Sequence, residues 1–248
     1  MMKGVILAAG KGTRLLPNTK ILPKTLLPIY DRPMIFYAVE AMIEAGIEEV
    51  MIVVSPTGEM LTAKTLEGEF DDKIKITYKT HATQLGSVDA FRAAKDYIRG
   101  NDCLLYFADN IFSGVDFKSI VEEGKRNLEK NCSSIITYEV PNPKQLGVVE
   151  ADDEGNIISI EEKPEFPKSN LASIGVYIYT KDVVDKMDDV ELDFRGEYQI
   201  TDLNNMYLAE GRLKAIRIKS GKWYDTGNAD KMLEAANEIK HAREETDK

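Results

Sequence analysis

Cysteine and histidine are scarce in this sequence, with two of each among 248 residues. Cys103 and Cys132 are too widely spaced for a metal knuckle or a C-x-x-C redox pair, and Cys103 lies in an apolar run where a thiol is structural. A reducing cytoplasm is the compartment this suggests. So few histidines leave no evident Ser–His or Cys–His arrangement for covalent catalysis. Long apolar runs are missing too: nothing approaches the roughly 18 residues of a membrane span. The apolar start, Val5 to Ala9, is too short for a signal peptide and lacks its charged lead-in. Positive charge is in deficit as well. A net charge of −10 argues against nucleic acid or an acidic membrane surface as partner. It leaves room for a small phosphorylated ligand, which needs only a local group of cations. Lys11, Arg14, Lys20 and Lys24 are dense enough near the start to supply part of such a group, with a solvated basic loop as the plainer alternative.

What is present is ordinary for a soluble globular protein, 43% hydrophobic and 30% charged, and long enough for a sizeable core. Short β-branched runs alternate with helical patterns. VILAA (5–9), VMIVVS (50–55), IKITY (74–78) and CLLYFA (103–108) read as buried strands. PMIFYAVEAMIEAGI, between the first two, reads as a helix with Pro33 at N1 and Gly46 at its C-cap. DAFRAAKDYI and FKSIVEEGKRNLEK read as two more. This alternation predicts an α/β fold, a Rossmann-like, mostly parallel sheet flanked by helices. After Cys132 the strands crowd together as SIITYEV, GVVEAD, NIISIEE and GVYIYT, with DDEGN (152–156) as a turn. That spacing predicts added antiparallel strands. A last helix, from about Ala229 to Glu244, carries Met232, Leu233, Ala236 and Ile239 on one face. With no internal repeat and no linker, a single mixed domain over 1–248 is expected.

The chemistry begins at GVILAAGKGTR, residues 4–14. A P-loop requires G-x-x-x-x-G-K-[ST], but five residues on from Gly4 stands Ala9, and Gly10-Lys11 is followed by Gly12. A dinucleotide fingerprint requires G-x-G-x-x-G, but after Gly10 and Gly12 the third position is Leu15. The second strand also ends in Ser55-Pro56 rather than an acid, so an oxidoreductase is not expected.

What remains, GKGTRLLPNTKILPKTLLPIYDRPMI, resembles the signature of the sugar-1-phosphate nucleotidyltransferases. FADNIFSG, LGVVEADDEGNIISIEEKP, SNLASIGVYIY, RGEYQITDLNNMYL and KWYDTGN follow in the order and spacing of the glucose-1-phosphate thymidylyltransferases. The resemblance covers nearly the whole chain. It implies a nucleotide-binding part over about 1–130, a sugar-binding part over about 131–227, and a C-terminal helix over about 228–248. It also implies transfer of a nucleotidyl group from dTTP or UTP to a sugar 1-phosphate, glucose 1-phosphate first, with release of pyrophosphate. A phosphate monoester has a second pKa of about 6, so this nucleophile is already a dianion at neutral pH and needs no general base. Two histidines suffice for such chemistry. What it requires is cations, amide donors and a metal held ready for an in-line displacement.

The resemblance gives each role a residue. Leu7, Ala8, Ala9, Gly10, Gly12 and Thr13 form the nucleotide loop, in which the amides of Gly10 to Thr13 cradle phosphate. Arg14 forks onto the β- and γ-phosphates, and Lys24 stands among the reacting phosphates. Asp109 and Asp225 hold Mg2+, the implied cofactor. Glu162 binds sugar hydroxyls, while Lys163 and Arg195 neutralise the sugar phosphate and Gly147 lets the sugar approach the backbone. Arg14, Lys24, Asp109 and Lys163 make the catalytic set. Read in isolation, each has a plainer use: a solvated loop arginine, a flanking lysine, an Asp-Asn or DTG turn, a half-exposed Glu-Lys pair.

Gly86 matches a glycine beside the base, but the glutamine those enzymes carry five residues earlier is His81 here. Glutamine offers an amide donor and an acceptor, whereas imidazole offers one of each in another geometry, so thymine, uracil and other bases stay open. His81 as a core residue is the alternative. The longer thymidylyltransferases add C-terminal helices for a regulatory site; with room for one terminal helix, that kind of end-product regulation is not expected here. That helix serves the core or a second copy of the chain, so a homo-oligomer stays open. A catalytically silent sugar-nucleotide-binding regulatory subunit on the same scaffold is the alternative function. The presence of Arg14, Lys24, Asp109, Lys163 and Asp225 favours the enzyme.

Overall fold

The computed structural model describes residues 2–246. Its strands are β1 (Lys3–Ala8), β2 (Pro28–Ile29), β3 (Arg32–Pro33), β4 (Glu49–Val54), β5 (Lys75–Thr80), β6 (Cys103–Phe107) and β7 (Asn110–Ser113) in the earlier part of the chain. They continue as β8 (Ser133–Glu139), β9 (Gly147–Ala151), β10 (Ile157–Glu162), β11 (Leu171–Tyr179), β12 (Leu213–Arg217) and β13 (Lys222–Asp225). The α-helices are α1 (Met34–Glu44), α2 (Glu59–Leu66), α3 (Ser87–Arg92), α4 (Lys95–Ile98), α5 (Phe117–Glu129), α6 (Val183–Asp189), α7 (Ile200–Ala209) and α8 (Ala229–Thr246).

The chain divides into two compact units whose segments interleave. The loop unit holds Gly4–Ala82, Tyr106–Phe117 and the chain from Ser220 onward; the hairpin unit holds Thr83–Leu105, Lys118–Lys219 and the residues before Gly4. In the loop unit β1 pairs with β4 and β4 with β5, all parallel, with Ala8 opposite Val54 and Val54 opposite Thr80. Connecting β1 to β4 is α1, whose Met34, Ile35, Ala38, Val39 and Met42 are completely buried, as its apolar spacing requires. Pro33 stands one place earlier than expected, at the N-cap, where its missing N–H costs nothing. Ala45 is the C-cap, and Gly46 follows in the left-handed region at φ 71°. β7 pairs antiparallel with β13, a partner more than a hundred residues away. A cluster of Ile29, Met34, Ile111, Ala235 and Ile239 seats α8, with Met232 and Ala236 partly buried against it. Leu233 departs from the expected face. It is 62% exposed, and Ala235 is the buried neighbour instead. Residues 247 and 248 of the expected terminal helix lie outside the described residues.

The hairpin unit is mostly antiparallel. β9 and β10 form a hairpin across residues 152–156, where Asp152 accepts from the Asn156 N–H and Gly155 takes φ 77°. β11 pairs antiparallel with both β9 and β8, and β12 lies parallel to β8. Tyr177, Tyr179 and Tyr207 stack in succession at 5.7 Å, and Phe91 stacks on Tyr179 at 5.9 Å. DAFRAAKDYI forms two short helices, α3 and α4, because the chain leaves helical geometry at Ala94. Cys103 is buried and Cys132 is partly exposed, both as free thiols. Burial pushes the Cys103 thiol up, as expected of a structural cysteine. Among the described residues, no helix is long and apolar enough to cross a membrane.

Candidate active site

In the loop unit, β1 delivers the glycine loop. Ala8 and Ala9 are buried, Leu7 is half-buried with its carbonyl accepting from Ala108 N–H, and Gly10 is exposed. Gly12 has φ 62°, and a Cβ there would lie 2.8 Å from Thr19 Cγ2, so both conformation and space call for glycine. Thr19 Oγ1 donates to Gly12 O at 2.8 Å and fixes the loop from outside. A 3-10 turn over Thr13–Leu15 follows. Leu15 is buried, which anchors the turn and leaves Thr13 and Arg14 exposed.

Lys24 opens a further 3-10 turn, Lys24–Leu26, directly after Pro23, and is only 9% exposed. Its Nζ donates to Asp109 Oδ2 at 2.6 Å. A lysine this buried has to be paired, because an uncompensated charge away from water is costly. Asp109 lies between β6 and β7, and Asp225 closes β13, whose register sets Asp225 opposite Asn110. Asn110 is nearly fully buried and held on two sides: its Nδ2 donates to Phe107 O at 2.8 Å, and its Oδ1 accepts from Trp223 Nε1 at 2.7 Å. The pairing of β7 with β13 thus brings the two aspartates together. Burial pushes the Asp225 carboxyl up, and the neighbouring Asp109 charge pushes it further, against the pull of Lys24 and Arg14.

Gly227 was not anticipated from sequence. A Cβ there would lie 2.6 Å from Arg14 Nη2 and 2.9 Å from Asp225 Oδ1, so the bare backbone makes room for the guanidinium beside the carboxylate. The only sequence signal was its place in KWYDTGN. The structure therefore gathers Arg14, Lys24, Asp109 and Asp225 in the loop unit. Two neighbouring, partly buried carboxylates suit a hard divalent cation with oxygen ligands. Mg2+ characteristically takes one or two carboxylates together with substrate phosphates. Among the described residues no group of three or more His, Cys, Asp or Glu forms a larger metal cage. His81, 8% exposed, also belongs to this unit, and its N–H donates to Val54 O just past β5.

The hairpin unit gathers a second set. Gly147 and Glu162 are register partners on β9 and β10. A Cβ on Gly147 would stand 3.4 Å from both Glu162 Oε2 and Thr201 Oγ1, so a side chain would cover the carboxylate. Thr201, buried in the first turn of α7, donates to Glu162 Oε2 at 2.7 Å. Lys163 has φ 48°, its N–H donates to Leu146 O, and its Nζ lies 3.5 Å from Glu162 Oε1. Arg195 is exposed and bound to Asp193, Nε to Oδ2 at 2.9 Å. That bond, with the nearby Glu162 charge contributing, raises its pKa. Burial raises the Asp202 carboxyl, with Asp193 and Glu162 adding to the shift. Thr201 and Asp202 lie within RGEYQITDLNNMYL, but nothing in their sequence context marks them as neighbours of Glu162. Gly86 belongs to this unit too, with φ 105° and a Cβ position 2.6 Å from Tyr198 O. A close backbone approach to Tyr198 is reason enough for a glycine there.

The family described as Nucleotidyl transferase matches residues 3–242. The chain belongs to this family. A glucose-1-phosphate thymidylyltransferase of Neisseria meningitidis is 36% identical over 237 residues, covering 95% of this chain and 82% of that protein. A Bacillus anthracis structure assigned as a glucose-1-phosphate thymidylyltransferase, in complex with sucrose, superposes with a TM-score of 0.88 at 33% identity. That alignment covers 96% of this chain and 94% of the other. A UDP-glucose pyrophosphorylase complexed with UDP-glucose gives a TM-score of 0.87 at 30% identity, covering 97% and 99%. The nucleotidyl transferase fold accounts for the mixed sheet, parallel in the loop unit and mostly antiparallel in the hairpin unit.

Proposed function

We propose that this nucleotidyl transferase moves a nucleotidyl group from a pyrimidine nucleoside triphosphate, dTTP or UTP, to glucose 1-phosphate. Its products are an NDP-glucose and pyrophosphate, and it works in the cytoplasm. The observation that supports this reading is the group Arg14, Lys24, Asp109 and Asp225, two cations set against two carboxylates with Lys24 nearly buried on Asp109, an arrangement suited to a polyphosphate and a divalent cation. The loop unit handles the triphosphate. Amides of Gly10 to Thr13 and the exposed Arg14 bind β- and γ-phosphates, so that charge developing on the departing pyrophosphate is already met by donors. Lys24, seated on Asp109 before substrate arrives, gains a stronger anionic partner in the triphosphate. Asp109 and Asp225 would hold Mg2+, which would supply Lewis-acid polarisation of the α-phosphate.

The hairpin unit handles the acceptor. Glu162, oriented by Thr201, accepts from sugar hydroxyls above the bare backbone of Gly147. Lys163 and Arg195 face the sugar phosphate, whose dianionic oxygen attacks the α-phosphorus without a protein base. The curated relative and the UDP-glucose enzyme differ in base, so His81 and Gly86 leave thymine and uracil as the two candidates. A silent sugar-nucleotide-binding subunit is the second reading; the presence of Arg14, Lys24, Asp109, Lys163 and Asp225 favours the enzyme.

The test is pyrophosphate release with glucose 1-phosphate, Mg2+ and each of dTTP, UTP, CTP, GTP and ATP in turn. Turnover confined to dTTP or UTP supports the assignment. Binding of both substrates without release from any nucleotide sinks it in favour of the silent subunit.

A further inference from the structure

Asp109 and Asp225 sit on different segments of the chain, and one residue fastens those segments together just beyond the last paired residues of β7 and β13. Thr226 is completely buried. Its N–H donates to Asp109 O at 3.0 Å and its Oγ1 donates to the same oxygen at 2.8 Å, with Met34 Sδ a weaker 3.4 Å from the hydroxyl. Two donors on one carbonyl fix the peptide that follows Asp109, and the residue providing both is the immediate neighbour of Asp225.

For stability alone the hydroxyl is nearly dispensable. With valine in its place, Asp109 O would keep the backbone N–H as a partner, and the buried volume would scarcely change. No polar group would be stranded, which is the circumstance in which losing a hydrogen bond costs little. What would be lost is the second restraint on the segment carrying Asp109, and with it the spacing of the two carboxylates. We infer that Thr226 is a positioning residue, whose hydroxyl holds Asp109 and Asp225 at the separation that a divalent cation requires. This rests on the reading of those two aspartates as the metal carboxylates. Partners that orient metal ligands characteristically affect affinity by about 10- to 100-fold when removed.

The test is Mn2+ affinity measured by electron paramagnetic resonance, with no sugar phosphate present, on wild type, Thr226→Val, Thr226→Ser, Thr226→Ala and Asp109→Asn. Thermal melts and steady-state kinetics run alongside. Thr226→Val is expected to weaken Mn2+ binding about 10- to 100-fold with little change in melting temperature. In kinetics, kcat at fixed Mg2+ should fall while KM for glucose 1-phosphate holds. Thr226→Ser should return Mn2+ affinity to the wild-type value. If valine packs badly, alanine and serine remain a matched pair, both lacking the methyl and differing only in the hydroxyl. Wild-type Mn2+ affinity in Thr226→Val, or equal weakening in the alanine and serine variants, overturns the role of the hydroxyl. Equal Mn2+ affinity in wild type and Asp109→Asn would instead remove the metal reading, and this assignment with it.

Discussion

The two units hold their charged side chains in opposite ways. The loop unit sets cation against anion: Lys24 is nearly buried on Asp109, and the exposed Arg14 fits beside Asp225 only because residue 227 has no side chain. The hairpin unit keeps Lys163 and Arg195 near the surface and controls its carboxylate through a neutral hydroxyl, Thr201 on Glu162. A polyphosphate with a metal calls for the first arrangement, in which several full charges must stand ready before the reaction. A sugar ring calls for the second, in which one oriented acceptor and an open backbone select hydroxyl positions. On the proposed assignment of ligands, charge density in this chain follows the ligand. Net charge, strongly negative overall, says nothing about it.

Breaking the loop unit should have the largest effects. Asp109→Asn is expected to cut turnover by about 10²- to 10³-fold or more, with the far-ultraviolet circular dichroism of wild type. A variant that keeps near wild-type turnover would remove Asp109 from the site. Gly227→Ala comes next. Its methyl would push on Arg14 and Asp225, and a misplacement of order 1 Å can cost about 10²-fold. The loss should appear with the nucleotide and leave KM for glucose 1-phosphate alone. Unchanged kinetics would mean that the guanidinium moves aside freely.

In the hairpin unit Thr201→Val removes a hydrogen bond to a charged group, an interaction of about 1.5–3 kcal/mol, so KM for glucose 1-phosphate should rise by one to two orders of magnitude. A matching rise in KM for the nucleotide would erase the distinction between the units. A stability control is smaller still. Burial of Asp182 raises its pKa, but hydrogen bonds and charge from Arg212 and Thr180 outweigh that and leave it lowered. The pair's stabilisation is therefore present above the unfolded aspartate pKa and lost as pH falls through the lowered folded value. Partly solvated, it contributes at most about 1 kcal/mol. Arg212→Gln should flatten the acid side of the melting profile without touching either KM; a changed KM would tie this pair to the site. Smallest in rate and sharpest in specificity, His81→Gln should shift the ratio of dTTP to UTP use toward dTTP, and a constant ratio would place base reading elsewhere.

Local patterns carried much of this into the sequence. β1, β4 and α1 are written in apolar runs and helical spacing, and the β9–β10 hairpin in its DDEGN turn. The break between α3 and α4 was invisible because DAFRAAKDYI has no glycine or proline to announce it. Leu233 misled because helical spacing identifies an apolar stripe without saying how much of it the core covers. The long-range pairings were beyond reach altogether. Nothing near residue 110 indicates that β7 will find β13, yet that pairing assembles Asp109 with Asp225 and creates the place for Thr226. Arg14, Lys24, Asp109 and Asp225 were legible one at a time as members of motifs. Gly227 and Thr201 were not, because their importance is a distance to a side chain elsewhere in the chain.

The division of labour is tested most directly by calorimetry on two variants, Arg14→Ala and Lys163→Ala, each titrated with UTP or dTTP and separately with glucose 1-phosphate. The account predicts that Arg14→Ala weakens the nucleotide and spares the sugar phosphate, while Lys163→Ala does the reverse. Equal weakening of both ligands in either variant would contradict it.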